Sequence, residues 1–285
     1  MIDYSKFPLS KRFYTGAEKK IGIIIKEKPY FVKFRKNSSE GYRYNHVSEH
    51  LGSEIFSILG VTAQETDLGM YDGKEVVLIR DFLGENEVFV PFNGVGDSSL
   101  DVDRERYSYD YEDIIEMLYS NIKLTDVKET IDCFWDMYII DALLGNFDRH
   151  GSNWGFIKKN NAYRMAPVFD NGSCLYPLLN TDDKIDEVLS FEAEMDKRIF
   201  TFPTSQIKLD NKKSSYYEVI NSLAFSESNK ALIRIVERFE IDKIFKLIEN
   251  TCFISEKRKE FYKTIIQKRF EKILFASYQK LNNGR

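Results

Sequence analysis

Cysteine, histidine, excess positive charge and long apolar runs are all scarce in this 285-residue chain, and each shortage removes a class of explanation. Cys133, Cys174 and Cys252 are odd in number and far apart, with no CxxC or metal-finger spacing. They read as free thiols in a reducing compartment, not as a disulfide framework. Three histidines offer few ligands for a metal hydrolase. No apolar run approaches the ~18 residues of a membrane span, and the opening MIDYSKFPLSKRFY has no apolar core of signal-peptide length. The expectation is a soluble protein, cytoplasmic in the cell that makes it. A net charge of -4 and a pI near 5.6 argue against direct nucleic-acid binding, which needs clustered basic charge.

What is present is globular. An apolar fraction of 43% and a charged fraction of 30% suit one large domain or two lobes. The stretch 97–136 is acidic, whereas 255–285 is rich in Lys and Arg and reads as the solvated face of a terminal helix. KKIGIII and YFVKF read as strands joined by a tight polar turn. NHVSEHLGSEIFSILG has helical spacing, with Asn45 as the expected N-cap and Gly60 as the stop. VTAQETDLGMY and KEVVLIRDF are two further strands around a YDGK turn. From residue 110 the periodicity becomes helical, and after 182 almost nothing but helix is expected. One hairpin interrupts it, WGFI and YRMAPVF around KKNNA. The expected fold class is α+β, a bilobal protein-kinase-like fold. An antiparallel-sheet N-lobe with one helix would span 1–82, a connection 83–109, and a mainly helical C-lobe 110–285.

The chemistry centres on GNFDRHGSNWGFI, a polar knot between two apolar stretches. Asp148 and Asn153 stand five residues apart, the interval between the base Asp and the metal-binding Asn of the H-R-D-x-x-x-x-N loop. Asp170, after the hairpin in VFDNG, stands where a second carboxylate would reach the metal. Upstream, Lys33 lies on the second strand and Glu49 on the following helix, placed to pair with it. The phosphate cover would be FYTGAEKKIGI, with Thr15 and Gly16, although only Gly16 and Gly22 occur there and the G-x-G-x-x-G pattern is absent. Arg80, Asp81 and Phe82 end the last N-lobe strand, where backbone groups would meet the adenine edge. His150 is counted with the ATP-binding set as a hydrogen-bonding residue, not a catalyst. Each has a bland reading alone, as a surface Lys, a solvated Glu or a turn Asp. A metal-hydrolase site from Asp148, His150 and Asp170 is the enzymatic alternative. Order and spacing together favour the kinase-like one.

YFVKF, NHVSEHLGSEIFSILG, KEVVLIRDF, LLGNFDRHGSNWGF and APVFDNG resemble the HipA-like kinase family, and its short CtkA-like members most of all, over roughly residues 15–175. The run Asn146, Asp148, His150, Asn153 carries the most specific part. The resemblance implies a Ser/Thr protein kinase using ATP and Mg²⁺. Lys33 would be the ATP-phosphate lysine, Glu49 its partner, Asp148 the catalytic base, and Asn153 and Asp170 the Mg²⁺ ligands. It implies a protein substrate with a Ser or Thr acceptor, and a role either as a toxin with an antitoxin or regulatory partner or as an effector delivered to a host. Family members often phosphorylate a Ser in the phosphate loop; the matching stretch here offers Thr15, with Ser10 further off. DRHGSN also resembles the catalytic loop of phosphoinositide kinases, so a lipid or small-molecule kinase and a nucleotide-binding pseudokinase stand as alternatives.

Overall fold

The computed structural model describes residues 1–12, 14, 19–39, 41–92, 111–120, 126–160 and 162–283. These fall into two compact units. The first comprises Met1–Phe82, Pro167–Phe191 and Glu240–Thr264, and the second Leu83–Ala166, Glu192–Phe239 and Ile265–Arg285. The architecture is mixed, with antiparallel sheets and many helices, as the sequence leads one to expect. Among the described residues no helix is long and apolar enough to cross a membrane.

The first unit is built on a four-stranded antiparallel sheet. Its strands are β1 (Lys20–Ile25), β2 (Lys28–Phe34), β5 (Thr66–Tyr71) and β6 (Lys74–Arg80), in the order β1-β2-β6-β5. Two-residue strands β3 (Asn37–Ser38) and β4 (Gly41–Tyr42) form a separate ladder. Lys26 and Glu27 join β1 to β2 with φ of 47° and 65°, the left-handed pair that matches the twist of a tight hairpin. Tyr4, Ile23, Val32, Val76 and Leu78 form a buried cluster on one face. Lys33 lies opposite Val77 in the β2–β6 register and therefore faces the other side, where helix α1 (Asn45–Ile58) packs.

α1 buries Val47, Leu51, Ile55 and Phe56. Its N-cap is Tyr44, not Asn45. The Asn45 side chain instead accepts from the Lys36 backbone N–H at 2.9 Å, closing the turn ahead of the helix. Gly60 follows the C-cap with φ of 77°, as a helix stop requires.

The first ten residues strap this sheet. Met70 N–H donates to Ile2 O at 2.9 Å beside a parallel Asp3–Met70 bridge, covering the outer edge of β5. Ser10 N–H donates to Gly22 O and Ile24 N–H to Pro8 O, both at 2.8 Å, covering the outer edge of β1. Between these contacts Tyr4 is buried, with its hydroxyl donating to Asp67 Oδ2 at 2.8 Å. The strap fits because Gly69 has no side chain: a Cβ there would stand 2.4 Å from Tyr4 Cε2 and 2.7 Å from Ile2 O. Gly69→Ala is expected to destabilise the protein by about 1–3 kcal/mol through this overlap. Urea unfolding would show it as a lower midpoint with an unchanged slope.

The second unit is organised around helix α3 (Val127–Leu144). Asp126 caps it, accepting from Glu129 N–H at 2.9 Å, and Gly145 ends it in the left-handed region at φ 63°. Helix α2 (Tyr111–Ser120) packs beside it. Strands β7 (Val88–Pro91), β8 (Gly155–Lys159) and β9 (Ala162–Met165) form a three-stranded sheet, so the expected hairpin gains a third strand from the stretch 83–109. The mainly helical region after 182 is interrupted once, where β10 (Thr204–Leu209) and β11 (Lys212–Ser215) form a second hairpin around Asp210 and Asn211 at φ 52° and 58°.

Among the described residues the remaining α-helices are α4 (Asp182–Ser190), α5 (Glu192–Asp196), α6 (Tyr216–Ser222), α7 (Ser226–Glu237), α8 (Ile241–Asn250), α9 (Glu256–Arg269) and α10 (Ala276–Asn283). Helix α9 corrects the reading of the basic tail as a solvated face. Arg258 is buried, with its guanidinium carbon 3.6 Å from the Tyr44 ring centroid and a hydrogen bond to Leu179 O. Arg269 is also buried and donates to Ala142 O at 2.7 Å and to Arg198 O. Lys257 pairs with Asp186 at 2.8 Å, and Lys263 with Glu249.

Candidate active site

Two groups of polar residues are the candidates for the site, one in each unit. In the first, a buried stripe on α1 turns Asn45, Glu49, Gly52 and Ser53, at helical spacing, toward the segment around Asp170. Gly52 makes the approach geometrically feasible, since a Cβ there would lie 2.6 Å from the Asn171 Cβ. That closeness lets the Asn171 backbone N–H donate to Glu49 Oε1 at 2.9 Å and its side chain donate to Ser53 Oγ at 3.0 Å.

Lys33 on β2 and Glu49 on α1 are partners, as the sequence reading expects. Lys33 Nζ donates to Glu49 Oε2 at 2.9 Å and to Asp170 Oδ1 at 2.8 Å. Lys33 and Glu49 are almost fully buried, while the Asp170 side chain is one-third exposed (33%). Asp170 sits at φ 58°, a region Asp tolerates better than most residues. Burial pushes the Glu49 carboxyl above its ordinary pKa, and the Lys33 charge pulls it back. The carboxylate is held as an acceptor by three donors, with the Gln64 side-chain amide joining Lys33 and the Asn171 N–H.

The strand end at Arg80–Phe82 is engaged differently from a bare edge. Arg80 pairs with Glu65. Asp81 Oδ2 accepts from Arg12 at 2.7 Å and from the Tyr14 hydroxyl at 3.1 Å. Burial and the neighbouring Asp81 charge raise the Tyr14 pKa, so the phenol stays a donor. Phe82 lies 5.8 Å from the Phe169 ring. Thr15 and Gly16 lie outside the described residues. Ser10 is described, and its backbone forms part of the strap on β1.

In the second unit the knot after α3 is a tightly bonded loop. Asp148 N–H donates to Asn146 Oδ1 at 3.0 Å, and Asp148 O accepts from Asn153 Nδ2 at 2.8 Å and His150 N–H at 2.9 Å. The Asp148 side chain is about half exposed (53%). His150 Nδ1 accepts from Ser152 N–H at 3.2 Å, which places the neutral ring's proton on Nε2, 3.9 Å from Asp148 Oδ1. Asn153 donates to the loop through Nδ2, and its side-chain acceptor is the amide oxygen.

Behind the loop stands a residue that the sequence reading did not single out. Asp141, 1% exposed, accepts from Arg149 Nε at 2.8 Å and Nη2 at 3.0 Å, and from Asn146 Nδ2 at 2.9 Å. Arg149 Nη1 also donates to Asn153 O at 3.0 Å. Tyr216, just after the second hairpin, donates to Asn146 O at 3.1 Å and is set by a capping box of Ser215 and Glu218. A carboxylate inside the apolar run YIIDALL was the available signal for Asp141. Gln64 and Tyr216 had no local signal, because their partners are distant in sequence.

Asp170 in the first unit offers a carboxylate and Asn153 in the second an amide oxygen, each a hard donor of the kind Mg²⁺ takes. Among the described residues no three His, Cys, Asp or Glu side chains form a metal-holding group, and Mg²⁺ in phosphoryl transfer commonly takes the rest of its shell from phosphates and water.

The profile of the HipA-like C-terminal domain family matches residues 13–240. The chain is 36% identical over 277 residues to the serine/threonine-protein kinase CtkA of Helicobacter pylori, covering 94% of this chain and 84% of that one. The crystal structure of the H. pylori proinflammatory kinase CtkA superposes with a TM-score of 0.90 at 34% identity, over 98% of this chain and 97% of that one. HipA of Shewanella oneidensis, in its complex with HipB and operator DNA, shares the fold at TM-score 0.60 and 15% identity, over 96% of this chain and 68% of that chain.

Proposed function

The chain belongs to the HipA-like kinase family and is a serine/threonine protein kinase, and from that premise we propose that it transfers the γ-phosphoryl group of ATP to a protein hydroxyl with the help of Mg²⁺. The observation that carries the proposal is the ion pair of buried Lys33 with Glu49, shared with Asp170. A buried ammonium held by two carboxylates is a cation kept in place for an anionic ligand, and the ATP phosphates are the ligand of that chemistry. Asp170 and Asn153 would hold the metal, which would offset negative charge on the phosphates. Asp148 would orient the acceptor hydroxyl and take its proton.

For its biological setting we propose an effector role, because the likeness to CtkA runs over nearly the whole of both chains. A toxin restrained by an antitoxin is the second reading, resting on the fold shared with HipA. The test is transfer of labelled γ-phosphate from ATP, with and without Mg²⁺, into a lysate, generic protein substrates or phosphoinositide vesicles. Mg²⁺-dependent label on Ser or Thr of protein is expected, and Asp170→Asn should raise the Mg²⁺ concentration needed for half-maximal rate. Label on lipid alone would overturn the protein-kinase assignment, and ATP binding without transfer would indicate a pseudokinase.

A further inference from the structure

The Glu49 carboxylate has a second oxygen that the phosphate chemistry does not use, and its partners form a clamp. Oε2 faces Lys33, while Oε1 receives the Gln64 amide and the Asn171 backbone N–H. Gln64 is 4% exposed and Glu49 2%, so neither hydrogen bond can be replaced by bulk water if its partner is removed. Gln64 itself is fixed from the backbone, where its N–H donates to Val168 O at 2.9 Å beside the Ala63–Val168 bridge. Val168 is two residues before Asp170. One short segment, 168–171, thus carries the anchor for Gln64, the second Lys33 carboxylate and the second Oε1 donor.

We propose that Gln64 is a positioning residue for nucleotide binding, acting through Glu49 on Lys33. A carboxylate with one oxygen free can rotate about its terminal torsion, which is broad and roughly two-fold. With both donors on Oε1 the plane is set, and Oε2 points at Lys33 in one orientation. The Lys33 ammonium is then presented to phosphate with its position already fixed, so less ordering remains for the ligand to impose. The inference rests on the kinase reading of Lys33, and its test separates the two.

The experiment is a double-mutant cycle on the full chain with Gln64→Met, Glu49→Gln and the double variant, reading KM for ATP, kcat and melting temperature, with Lys33→Met alongside. Gln64→Met should raise KM for ATP about tenfold, the size expected when one hydrogen bond to a charged group is lost, with a smaller change in kcat. Glu49→Gln should raise it as much or more. The double variant should match Glu49→Gln alone, because an amide at position 49 no longer gives Lys33 a carboxylate for Gln64 to aim. Additive effects would place the action of Gln64 elsewhere and overturn the proposal. So would a lowered melting temperature with unchanged KM, the mark of a purely structural role. If Gln64→Met does not fold, Ser53→Ala tests the same clamp, since it frees the Asn171 side chain beside the other donor. Ser53→Ala should then raise KM for ATP less than Glu49→Gln and add nothing to it. A normal transfer rate in Lys33→Met would sink the assignment of Lys33 to the phosphates, whereas an inactive Lys33→Met with a silent Gln64→Met sinks only the clamp.

Discussion

Asp148→Asn is expected to lower phosphoryl transfer by about 10²–10⁴-fold, the range associated with losing a general base, while ATP affinity stays nearly unchanged. The reason lies in how the residue is held. Its backbone makes the hydrogen bonds to Asn146, His150 and Asn153, and its carboxyl group is half exposed. Asn keeps the shape and the backbone bonds and removes only the proton acceptor. Fold and nucleotide site should therefore survive, and the melting temperature should move little. Initial rates of label transfer, set beside an ATP titration on the same preparation, would measure both halves. Near-normal turnover in the variant would reject Asp148 as the base.

The second large effect concerns stability. Asp141→Ala removes the carboxylate that faces Arg149 through two hydrogen bonds in a site where both side chains are almost fully buried. An uncompensated buried charge costs roughly 3–5 kcal/mol, a large share of the ~5–15 kcal/mol that holds a typical protein folded. The loop also loses its frame, because Asn146 donates to Asp141 and accepts from Asp148, while Arg149 donates to Asn153 O. Activity should fall even at temperatures where the variant is folded. Replacing both members, as Asp141→Leu with Arg149→Met, should recover part of the stability, since no stranded charge remains. It should not recover activity. Denaturant titrations of the single and double variants would decide, and a cost under about 1 kcal/mol for Asp141→Ala would show that the pair is not a structural keystone.

The elements that were legible in the sequence are those whose signal is local. The β1–β2 and β5–β6 hairpins, helix α1 and helix α3 follow from alternation, helical spacing and turn residues lying within a dozen positions. The motif interval from Asp148 to Asn153 is local as well. What escaped was set at a distance. The β10–β11 hairpin has an Asp-Asn turn, but its strands carry Lys and Ser where alternating apolar residues would announce a sheet. Arg258 and Arg269 read as solvent-facing because charge is normally exposed, yet each is buried against backbone carbonyls far along the chain. Asn45 has the chemistry of an N-cap and lost that role to Tyr44 because the Lys36 amide claimed its side chain. The clamp on Glu49 draws on residues 15 and 122 positions away, a span no periodicity reports.

The N-terminal strap also limits how this kinase can recognise proteins. Many domains capture an extended peptide by letting it join a sheet as one more strand, which requires a free row of backbone donors and acceptors. Here the chain's own first ten residues already occupy the outer rows of β1 and β5 around Gly22–Ile24 and Met70. This sheet has no vacancy there for a guest strand. A substrate segment therefore cannot extend this sheet along those rows.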